Sequence, residues 1–552
     1  MGFYVNVSVG ESVNRFFSDT PLMGHEVLSL SGVENKSSVM AWRVNRILRP
    51  MGWVVDDDAE VEFVDTSTFE GMEIYRNTLT FIMTLACKRV LESDVAVKYS
   101  MSDSYYCELN DGEATEEQVA LIRDEMRKMV DSAIPIQMAT LPLDKARRIF
   151  ERQGNGDRAR LMQWTGADPL TLYRCAGTYG YFGSPLAANT NSVAAFGLDH
   201  YAPGFLLRFP SMARARTAEI PPLEINHKLM GVFNEYSRWL KVLGLSTMAS
   251  LHERVANGKA LDLILISETF HNMALSNIAA QVDERKSVRL ICLAGPSSSG
   301  KTTTSKRLSI QLQVLGKNPV TIELDDYYVN RDQTPRDETG AYDFEALEAL
   351  DVELINDHLG KLLSGAEVQL PKYDFVTGTR KQGKTLRLGS DDILIIEGIH
   401  GLNDAISRDV PREAKYKIFI CPLTGVNLDS YNRIGTTDTR LLRRMVRDHR
   451  RRGYSPERTI AMWPSVIRGS HKHIFPYEEQ ADILFNTSLA YEISVLKGYA
   501  EPLLRAIPEC SPAYGEATRM LSLLGFAPVI PSENIPNMSI IREFIGGSCF
   551  DD

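Results

Sequence analysis

The sequence is poor in the features that mark secreted, membrane-spanning and metal-stapled proteins. Its 552 residues include only seven cysteines, an odd number, and none of them forms a C-x-x-C pair. Scattered thiols of this kind predict a reduced protein without a disulfide framework or a zinc site. No uninterrupted apolar stretch approaches the roughly 18 residues that a membrane-spanning helix requires. The N-terminus lacks a basic segment followed by an apolar run, so we expect no signal peptide and a cytoplasmic location.

Basic residues are also in the minority. Lysine and arginine total 61 against 71 aspartates and glutamates, which gives a net charge of −10. This balance argues against a broad nucleic-acid-binding surface, so nucleic acid is not an expected partner. Two short basic stretches, at 214–216 and 380–384, are typical of solvated surface. The sequence contains no internal repeat, and its length suggests about three or four domains.

A glycine-rich stretch near the middle of the chain has the spacing of a phosphate-binding loop. The stretch AGPSSSGKTTTSKRL fits the pattern G-x-x-x-x-G-K-S/T through Gly295, Gly300, Lys301 and Thr302. The preceding run VRLICLA (288–294) predicts a buried parallel strand, and leucines at helical spacing follow the loop. Strand, loop and helix are the context that the pattern requires. The alternative is a glycine-rich turn without a ligand.

The loop supplies the chemistry that binds a nucleoside triphosphate. Glycines let the backbone wrap closely, so successive N–H groups point at phosphate oxygens, and the helix N-terminus adds partial positive charge. Lys301 can reach the β- and γ-phosphates, and the Thr302 hydroxyl can bind Mg²⁺. We therefore expect ATP and Mg²⁺ as cofactors. The predicted ATP-binding residues are Gly295, Ser297, Ser298, Ser299, Gly300, Lys301, Thr302 and Thr303.

Two further apolar runs end in acidic residues. PVTIELDDYY (319–328) predicts a second strand that ends in Asp325 and Asp326. DDILIIEG (391–398) predicts a third strand that ends in Glu397. An acid at the carboxyl end of a parallel strand faces the ligand crevice, where it can hold Mg²⁺ or act as a general base. The alternative is that these acids only begin turns, where Asp is common.

A stretch rich in arginine, TRLLRRMVRDHRRRGYSPER, predicts a cationic helix over residues 439–458. One face of this helix carries Arg440, Arg443, Arg444 and Arg447, at i, i+3, i+4 and i+7. Like charges this close repel each other unless an anion neutralises them. Because the helix follows a phosphate-binding loop in an acidic chain, we interpret it as a lid that closes over a transferred phosphoryl group. The alternative is a solvated charged face.

Six stretches occur in the same order as in one known group of enzymes: GPSSSGKTTT, LDDYY, YDFEALEALD, LPKYDFVTGTR, IIEGIHGL and RLLRRMVRDHRRRG. Through them, residues 288 to about 490 resemble the uridine kinase and phosphoribulokinase family of P-loop kinases. The resemblance implies ATP-dependent phosphorylation of the 5′-hydroxyl of a nucleoside, uridine or cytidine. The alternatives are a kinase of another small hydroxylated substrate, such as a sugar phosphate, and an ATP-switched RNA-binding or regulatory protein.

The resemblance also implies roles for individual residues. Asp325 would take the proton from the nucleoside 5′-hydroxyl, and Thr302, Asp325 and Glu397 would hold Mg²⁺. The other implied catalytic residues are Lys301, Arg444 and Arg447. The implied substrate-binding residues are Asp325, Tyr328, Glu345, Tyr373, Arg380 and Arg452, with Glu345 at the ribose hydroxyls and Tyr373 near the base. The resemblance assigns no contact to Arg440 or Arg443.

The sequence departs from the pattern of typical uridine kinases at two positions. They have Asp where this chain has Glu345, which lengthens the ribose contact by one methylene. They also have a histidine that reads the pyrimidine edge, at the position of Gly378. A site without that polar partner loses discrimination for the group it would have bonded.

The front half of the chain resembles two domains of threonyl-tRNA synthetases. Residues 1–65, which include VMAWRVNRILRPMGWVVDDDAEVEFVD, resemble the TGS domain, a small ubiquitin-like β-grasp fold. Residues 66–215 resemble the editing domain. EGMEIYRNTLTFIMTLACKRV matches that domain's E-G-x-x-x-x-R-H-x-x-x-H segment, and LYRCAGTYGYF matches its C-x-G-P-H segment.

The residues that carry editing chemistry are missing from these segments. Asn77 and Phe81 occupy the first two histidine positions, and Tyr179 occupies the third, so that only Cys175 remains. One thiol cannot hold zinc in the usual way, and a lone cysteine is more often a small buried residue than a nucleophile. We therefore interpret this region as a non-catalytic binding or assembly module.

The overall expectation is an α/β protein in five regions. The predicted fold is a P-loop kinase with a parallel sheet and helices on both faces, preceded by a small β-grasp domain and an α+β domain. The predicted regions are the TGS-like domain (1–65), the editing-like domain (66–215), a helical connector (216–285), the kinase domain (286–490) and a helical extension (491–552). The extension either caps the kinase domain or forms a dimer contact. The second alternative predicts a homo-oligomer.

Overall fold

The structure is a computed structural model of the full chain. It describes residues 2–10, 12–33, 35–101, 103–212, 219–223, 225–337 and 340–550. The basic stretch at 214–216 and the predicted domain boundary at 215 lie outside the described residues.

The strands, in chain order, are β1 (Phe3–Val9), β2 (Ser12–Ser18), β3 (Leu22–Met23), β4 (Val39–Val44), β5 (Ile47–Pro50), β6 (Val54–Val55), β7 (Ala59–Asp65), β8 (Val95–Met101), β9 (Ser104–Leu109), β10 (Gln137–Leu141), β11 (Leu170–Cys175), β12 (Thr178–Gly180), β13 (Gly197–Tyr201), β14 (Gly204–Arg208), β15 (Leu290–Ala294), β16 (Asn318–Glu323), β17 (Val368–Asp374), β18 (Thr379–Leu386), β19 (Asp392–Glu397), β20 (Lys415–Cys421) and β21 (Ile483–Asn486).

The α-helices are α1 (Gly24–Leu30), α2 (Phe69–Leu91), α3 (Glu116–Asp131), α4 (Leu143–Arg152), α5 (Gly156–Leu161), α6 (His227–Val242), α7 (Met248–Ala256), α8 (Ala260–Glu284), α9 (Lys301–Val314), α10 (Val352–Leu363), α11 (Thr436–Arg452), α12 (Pro456–His473), α13 (Glu492–Arg505), α14 (Tyr514–Leu524) and α15 (Arg542–Ile545).

A mixed five-stranded sheet forms the N-terminal region. Its strand order is β2-β1-β7-β4-β5. Strands β1 and β7 pair in parallel at the centre, and the other pairs are antiparallel. Alternate residues of β1 are buried, because one face of the strand packs on the core: Val5 and Val7 are fully buried beside Trp42.

Residues 69–208 combine two antiparallel sheets with long helices. One sheet has the order β10-β11-β12 and the other has the order β13-β14-β9-β8. Helix α2 packs against α3. Most of its length is buried, including Leu79 and Ile82. The three helices α6 to α8 then lead to the second half of the chain, where α8 packs beside α9.

The second half is built on a five-stranded parallel sheet with the order β16-β19-β15-β20-β21. Every residue of the central strand β15 is buried, as expected for a strand covered on both faces. On one face Leu290 and Cys292 join the core that includes α10. On the other face Ile291 and Leu293 join the core that includes α8 and α9. The predicted parallel sheet with helices on both faces is therefore confirmed.

The C-terminal extension returns across the molecule. Helix α13 packs against α11, and α14 reaches β5 of the N-terminal sheet. A side chain at Gly515 would place its Cβ 2.4 Å from the carbonyl oxygen of Arg46, so the backbones of the first and last regions lie in direct contact. In the described part of the chain, no helix is long and apolar enough to cross a membrane.

Candidate active site

The phosphate-binding loop joins β15 to α9 in a tight turn. Ser298 and Gly300 adopt positive φ angles of 62° and 90°. At Gly295 an added Cβ would lie 2.2 Å from the carbonyl oxygen of Ile420, so only glycine allows this approach. The Lys301 ammonium donates to the Gly295 carbonyl at 3.1 Å and so folds back across the loop.

Among the described residues, two of the loop hydroxyls are buried without partners, and a third contacts an arginine of α11. The Oγ atoms of Ser298 and Ser299 are buried and make no hydrogen bond within the described residues. Ser297 Oγ accepts a hydrogen bond from Arg444 at 2.9 Å. Buried hydroxyls without partners are costly, and an anionic ligand that accepts from them removes that cost.

Two arginines of α11 hold the loop from behind, which corrects the interpretation of the arginine helix as one uniform face. Arg440 and Arg443 are fully buried. Arg440 Nε donates to the Ser297 carbonyl at 3.0 Å, and burial lowers the pKa of Arg440 to about 10. Arg443 Nη1 donates to the Ser299 carbonyl at 3.2 Å. These contacts were missed in the sequence, because helical periodicity shows which residues share a face and not what that face meets.

Three other arginines of the same helix gather around one buried carboxylate. Asp448 lies within 4.0 Å of the guanidinium groups of Arg444, Arg447 and Arg452, at 3.3, 2.8 and 3.6 Å. Although burial opposes its ionisation, the charges of Arg447, Arg444 and Arg452 hold the pKa of Asp448 below its usual value. Asp448 therefore fixes the three predicted lid arginines in one cluster.

A threonine in the first turn of α9 meets the glutamate that ends β19. The Thr302 hydroxyl donates to Glu397 Oε1 at 2.7 Å. Burial raises the pKa of Glu397 to about 8, against the charge of Lys301, and Glu323 raises it further. Glu323 ends β16 beside Glu397, and the sequence interpretation missed it. An acid at the end of a predicted strand was the available signal for Glu323, but Asp325 and Asp326 just after it fit the same pattern.

The two aspartates lie beyond the strand, in a 3₁₀ turn over Leu324–Tyr327. The predicted strand over 319–328 is thus shorter, because β16 ends at Glu323. Asp326 is held by Lys372 at 3.2 Å and by the backbone N–H of Tyr373 at 3.3 Å. Asp325 makes no side-chain hydrogen bond to any residue that the structure describes, and its charge contributes to the raised pKa of Glu397. Of the pair, Asp325 is the carboxylate left free to act on a ligand.

Aromatic side chains and an unpaired acid line the space beyond Asp325. The Tyr328 ring packs near those of Tyr373 and Phe375, with centroids 5.6 and 6.2 Å away. Within the described residues, the hydroxyl of Tyr373 and Glu345 Oε2 are buried without hydrogen-bond partners. Burial raises the pKa of Glu345 against the charges of Arg444 and Arg440. These unpartnered polar atoms are available to a ligand with hydroxyl or amide groups.

The position of the missing histidine is filled by another side chain. Gly378 has a φ of +72°, and an added Cβ would lie 2.7 Å from Cζ of Arg331. The Arg331 guanidinium donates to the Phe375 carbonyl at 2.8 Å and opposes the burial that raises the pKa of Tyr373. The Arg331 guanidinium therefore lies beside Gly378, at the position where typical uridine kinases have a histidine.

Arg380, another predicted substrate-binding residue, is engaged in an ion pair within the fold. Its guanidinium pairs with Asp351 Oδ2 at 2.9 Å. Asp351 is the N-cap of α10 and also accepts from the Leu354 N–H. This contact ties the β17–β18 hairpin to α10, since Arg380 lies in β18.

The residues that the sequence comparison aligned with editing histidines form packing contacts. Asn77 donates to Ser184 Oγ at 2.7 Å, and Phe81 packs against Phe182 with ring centroids 5.4 Å apart. Cys175 is fully buried, and burial raises its pKa to about 11. The Tyr179 N–H donates to Gln153 Oε1 at 2.8 Å. In the described ranges no group of three or more His, Cys, Asp or Glu side chains is placed to hold a metal ion.

A parallel sheet, a glycine loop at the end of its central strand and an arginine helix packed on that loop define a P-loop kinase. Residues 290–494 match the Phosphoribulokinase / Uridine kinase family. The chain belongs to this family through that region.

Two curated relatives and one solved structure illustrate the similarity. The uridine kinase of Macrococcus caseolyticus is 32% identical over 213 residues, which is 38% of this chain and 94% of the relative. The uridine kinase of Halalkalibacterium halodurans is 33% identical over 196 residues, 35% of this chain and 84% of the relative. A Bacillus stearothermophilus structure described as a possible uridine kinase is 20% identical, covers 36% of this chain and 89% of that chain, and has a TM-score of 0.25.

Proposed function

We propose that this protein transfers the γ-phosphoryl group of ATP to the 5′-hydroxyl of a pyrimidine ribonucleoside, uridine or cytidine. One observation carries the proposal: beside the phosphate-binding loop, Asp325 is a carboxylate without a hydrogen bond in the described structure, next to Asp326, which is fully engaged. A general base must be free to accept a proton and must lie near the donor phosphate. The similarity to uridine kinases supports the choice of acceptor.

The loop residues fit a nucleoside triphosphate. The free hydroxyls of Ser298 and Ser299, the backbone N–H groups of the turn and Lys301 would bind its phosphates. Mg²⁺ fits beside them, because Glu397 places carboxyl oxygens next to the Thr302 hydroxyl with Glu323 alongside, and a bound cation would offset the burial that raises the pKa of Glu397. Thr302, Asp325 and Glu397 would hold the ion, which supplies charge neutralisation on the phosphates.

The remaining residues bind the acceptor and neutralise negative charge on the transferred phosphoryl group. Glu345 accepts hydrogen bonds from the ribose hydroxyls through its unpartnered oxygen. Tyr328 and Tyr373 form the apolar wall against which a planar base packs. Arg444 and Arg447, held by Asp448, stabilise the negative charge on the phosphoryl group as it moves. Arg452 belongs to the same cluster and faces the acceptor side, where Phe375 lies 5.6 Å from its guanidinium.

A second candidate acceptor is a small sugar phosphate. The observation that favours it is Arg331, whose guanidinium lies beside Gly378 and close enough to Tyr373 to oppose the burial that raises the pKa of that hydroxyl. Guanidinium groups bind phosphate through paired hydrogen bonds.

We also propose a domain organisation for the rest of the chain. Residues 1–65 are a TGS-like β-grasp domain, which the central parallel pair β1–β7 and the helix α1 support. Residues 66–215 are an editing-like domain without catalysis, which the packing of Phe81 and Cys175 supports. Residues 216–285 connect these domains to the kinase domain (286–490), and residues 491–552 form its extension.

The experiment that tests the proposal is a coupled ADP-release screen with the full chain. Nucleosides and small phosphorylated sugars are compared as acceptors, with the Asp325→Asn variant as the matched control for background ATP hydrolysis. We expect turnover with uridine or cytidine that the variant lacks. Turnover with sugar phosphates alone would establish the second candidate, and a rate of ADP release that no acceptor increases would reject both.

A further inference from the structure

The C-terminal segment, residues 532–550, lies across the phosphate-binding loop. Its residue Glu543 reaches the first turn of α9. There Glu543 Oε2 accepts two hydrogen bonds from Thr303, one from the backbone N–H at 3.2 Å and one from the hydroxyl at 2.8 Å. The two residues are 240 positions apart in the sequence.

Further contacts hold the C-terminal segment in this place. Ile540 is fully buried against the loop, where its Cγ2 would lie 2.7 Å from a Cβ added at Gly300. The Lys306 ammonium donates to the Phe550 carbonyl at 2.7 Å. Arg450 donates to the Glu543 carbonyl oxygen at 3.2 Å, and Arg450 belongs to the arginine helix α11. Contacts from α9 and from α11 therefore fix the position of Glu543.

The contact occupies donors that a nucleotide requires. The first N–H groups of a helix have no partner inside the helix, and in this type of loop they bind the α- and β-phosphates. Thr303 is one of the predicted ATP-binding residues, and its N–H and hydroxyl both donate hydrogen bonds to the Glu543 carboxylate. A phosphate oxygen and a carboxylate cannot accept the same N–H together, and their negative charges repel each other.

We propose that the C-terminal segment is an autoinhibitory element in which Glu543 competes with the nucleotide for Thr303. This proposal rests on the proposed function only in that the loop binds a nucleotide. Binding of the nucleotide displaces Glu543. The apparent affinity for the nucleotide is therefore the intrinsic affinity multiplied by the fraction of molecules in which the segment is undocked. Because Arg450 joins the segment to α11, displacement of Glu543 also frees the end of that helix.

The test uses the full chain and two conservative variants of the same segment. Glu543→Gln keeps the shape and removes the charge, while Glu533→Gln alters an exposed glutamate of the segment. The dissociation constants for ADP and for inorganic tripolyphosphate are measured by calorimetry, without any acceptor. We expect Glu543→Gln to bind both about ten-fold more tightly and Glu533→Gln to bind as the unchanged protein does. Equal or weaker binding by Glu543→Gln overturns the proposal.

A second measurement needs no variant and covers the case in which Glu543→Gln does not fold. Hydrogen exchange of residues 540–550 is compared with and without saturating ADP. Faster exchange with ADP supports displacement, and unchanged or slower exchange overturns it. The two proposals fail in different ways: tighter binding without nucleoside turnover contradicts only the proposed reaction, while turnover with unaltered binding contradicts only the autoinhibition.

Discussion

Arg443 and Glu492 form a buried ion pair directly behind the phosphate-binding loop. The two side chains are 0% and 1% exposed, and Arg443 Nη2 donates to Glu492 Oε2 at 2.8 Å. Arg443 also donates to the carbonyls of Ser299 and Thr487. The pair thus joins α11, α13 and the loop in one network, which fixes the loop carbonyls in place.

We expect Glu492→Gln to destabilise the protein, because it leaves the Arg443 charge buried without its partner. Loss of one member of a buried pair costs about 3–5 kcal/mol of unfolding free energy. Urea unfolding measures this loss. The matched control is Glu501→Gln, which breaks the more exposed pair with Arg505 and should cost no more than about 1 kcal/mol. Similar small losses in both variants would contradict the assigned importance of the buried pair.

Asp325→Asn tests the general base. The amide keeps the shape of the side chain and cannot accept the proton, so kcat should fall by roughly 10²–10⁴-fold while ATP still binds. Steady-state kinetics and ATP titration give the two quantities. Asp326→Asn is the neighbouring control, because Asp326 is engaged with Lys372 and should lose much less activity. Near-normal turnover by Asp325→Asn would rule out its role.

Glu397→Gln tests the metal site. Removing the charge beside the Thr302 hydroxyl should weaken Mg²⁺ binding, so that activity requires a higher Mg²⁺ concentration. A Mg²⁺ titration of turnover at saturating ATP measures the change. An unaltered titration curve would count against Glu397 as a metal contact.

Arg447→Ala tests the lid. We expect kcat to fall by about 10²-fold or more, because the contact matters most when charge develops on the phosphoryl group. The thermal unfolding midpoint should fall less than in Glu492→Gln, because Arg444 and Arg452 still pair with Asp448. Arg440 is not a suitable control, since it is buried against the loop. Arg458→Ala, an exposed arginine at the start of α12, serves instead. Equal and small effects in both variants would show a solvated charged helix.

The editing-like region should be inert. With Asn77, Phe81 and Tyr179 in place of histidines, the purified chain should carry no stoichiometric zinc and should not deacylate mischarged tRNA. Metal analysis and a deacylation assay check both statements. About one zinc per chain, lost in Cys175→Ala, would refute this expectation.

The sequence by itself determined the local parts of the active site. The loop from Gly295 to Thr302 and the strands β15 and β19 follow from residues that are neighbours in the chain, where glycine conformation and apolar runs act directly. The parallel sheet follows for the same reason, since its buried strands are continuous apolar runs. The end of β16 was placed too late, because two acids after a strand fit both a strand end and a turn.

Only the tertiary structure decided how distant residues meet. Periodicity placed four arginines on one helical face. In the fold, Arg440 and Arg443 are buried against the loop, whereas Arg447 pairs with Asp448. Arg331 fills the space above Gly378, and Glu543 reaches Thr303 across 240 positions of sequence. Such contacts depend on the relative placement of whole elements, which is set by the burial of their apolar faces. Charge and spacing in the sequence say which groups are available, and the fold decides which of them become partners.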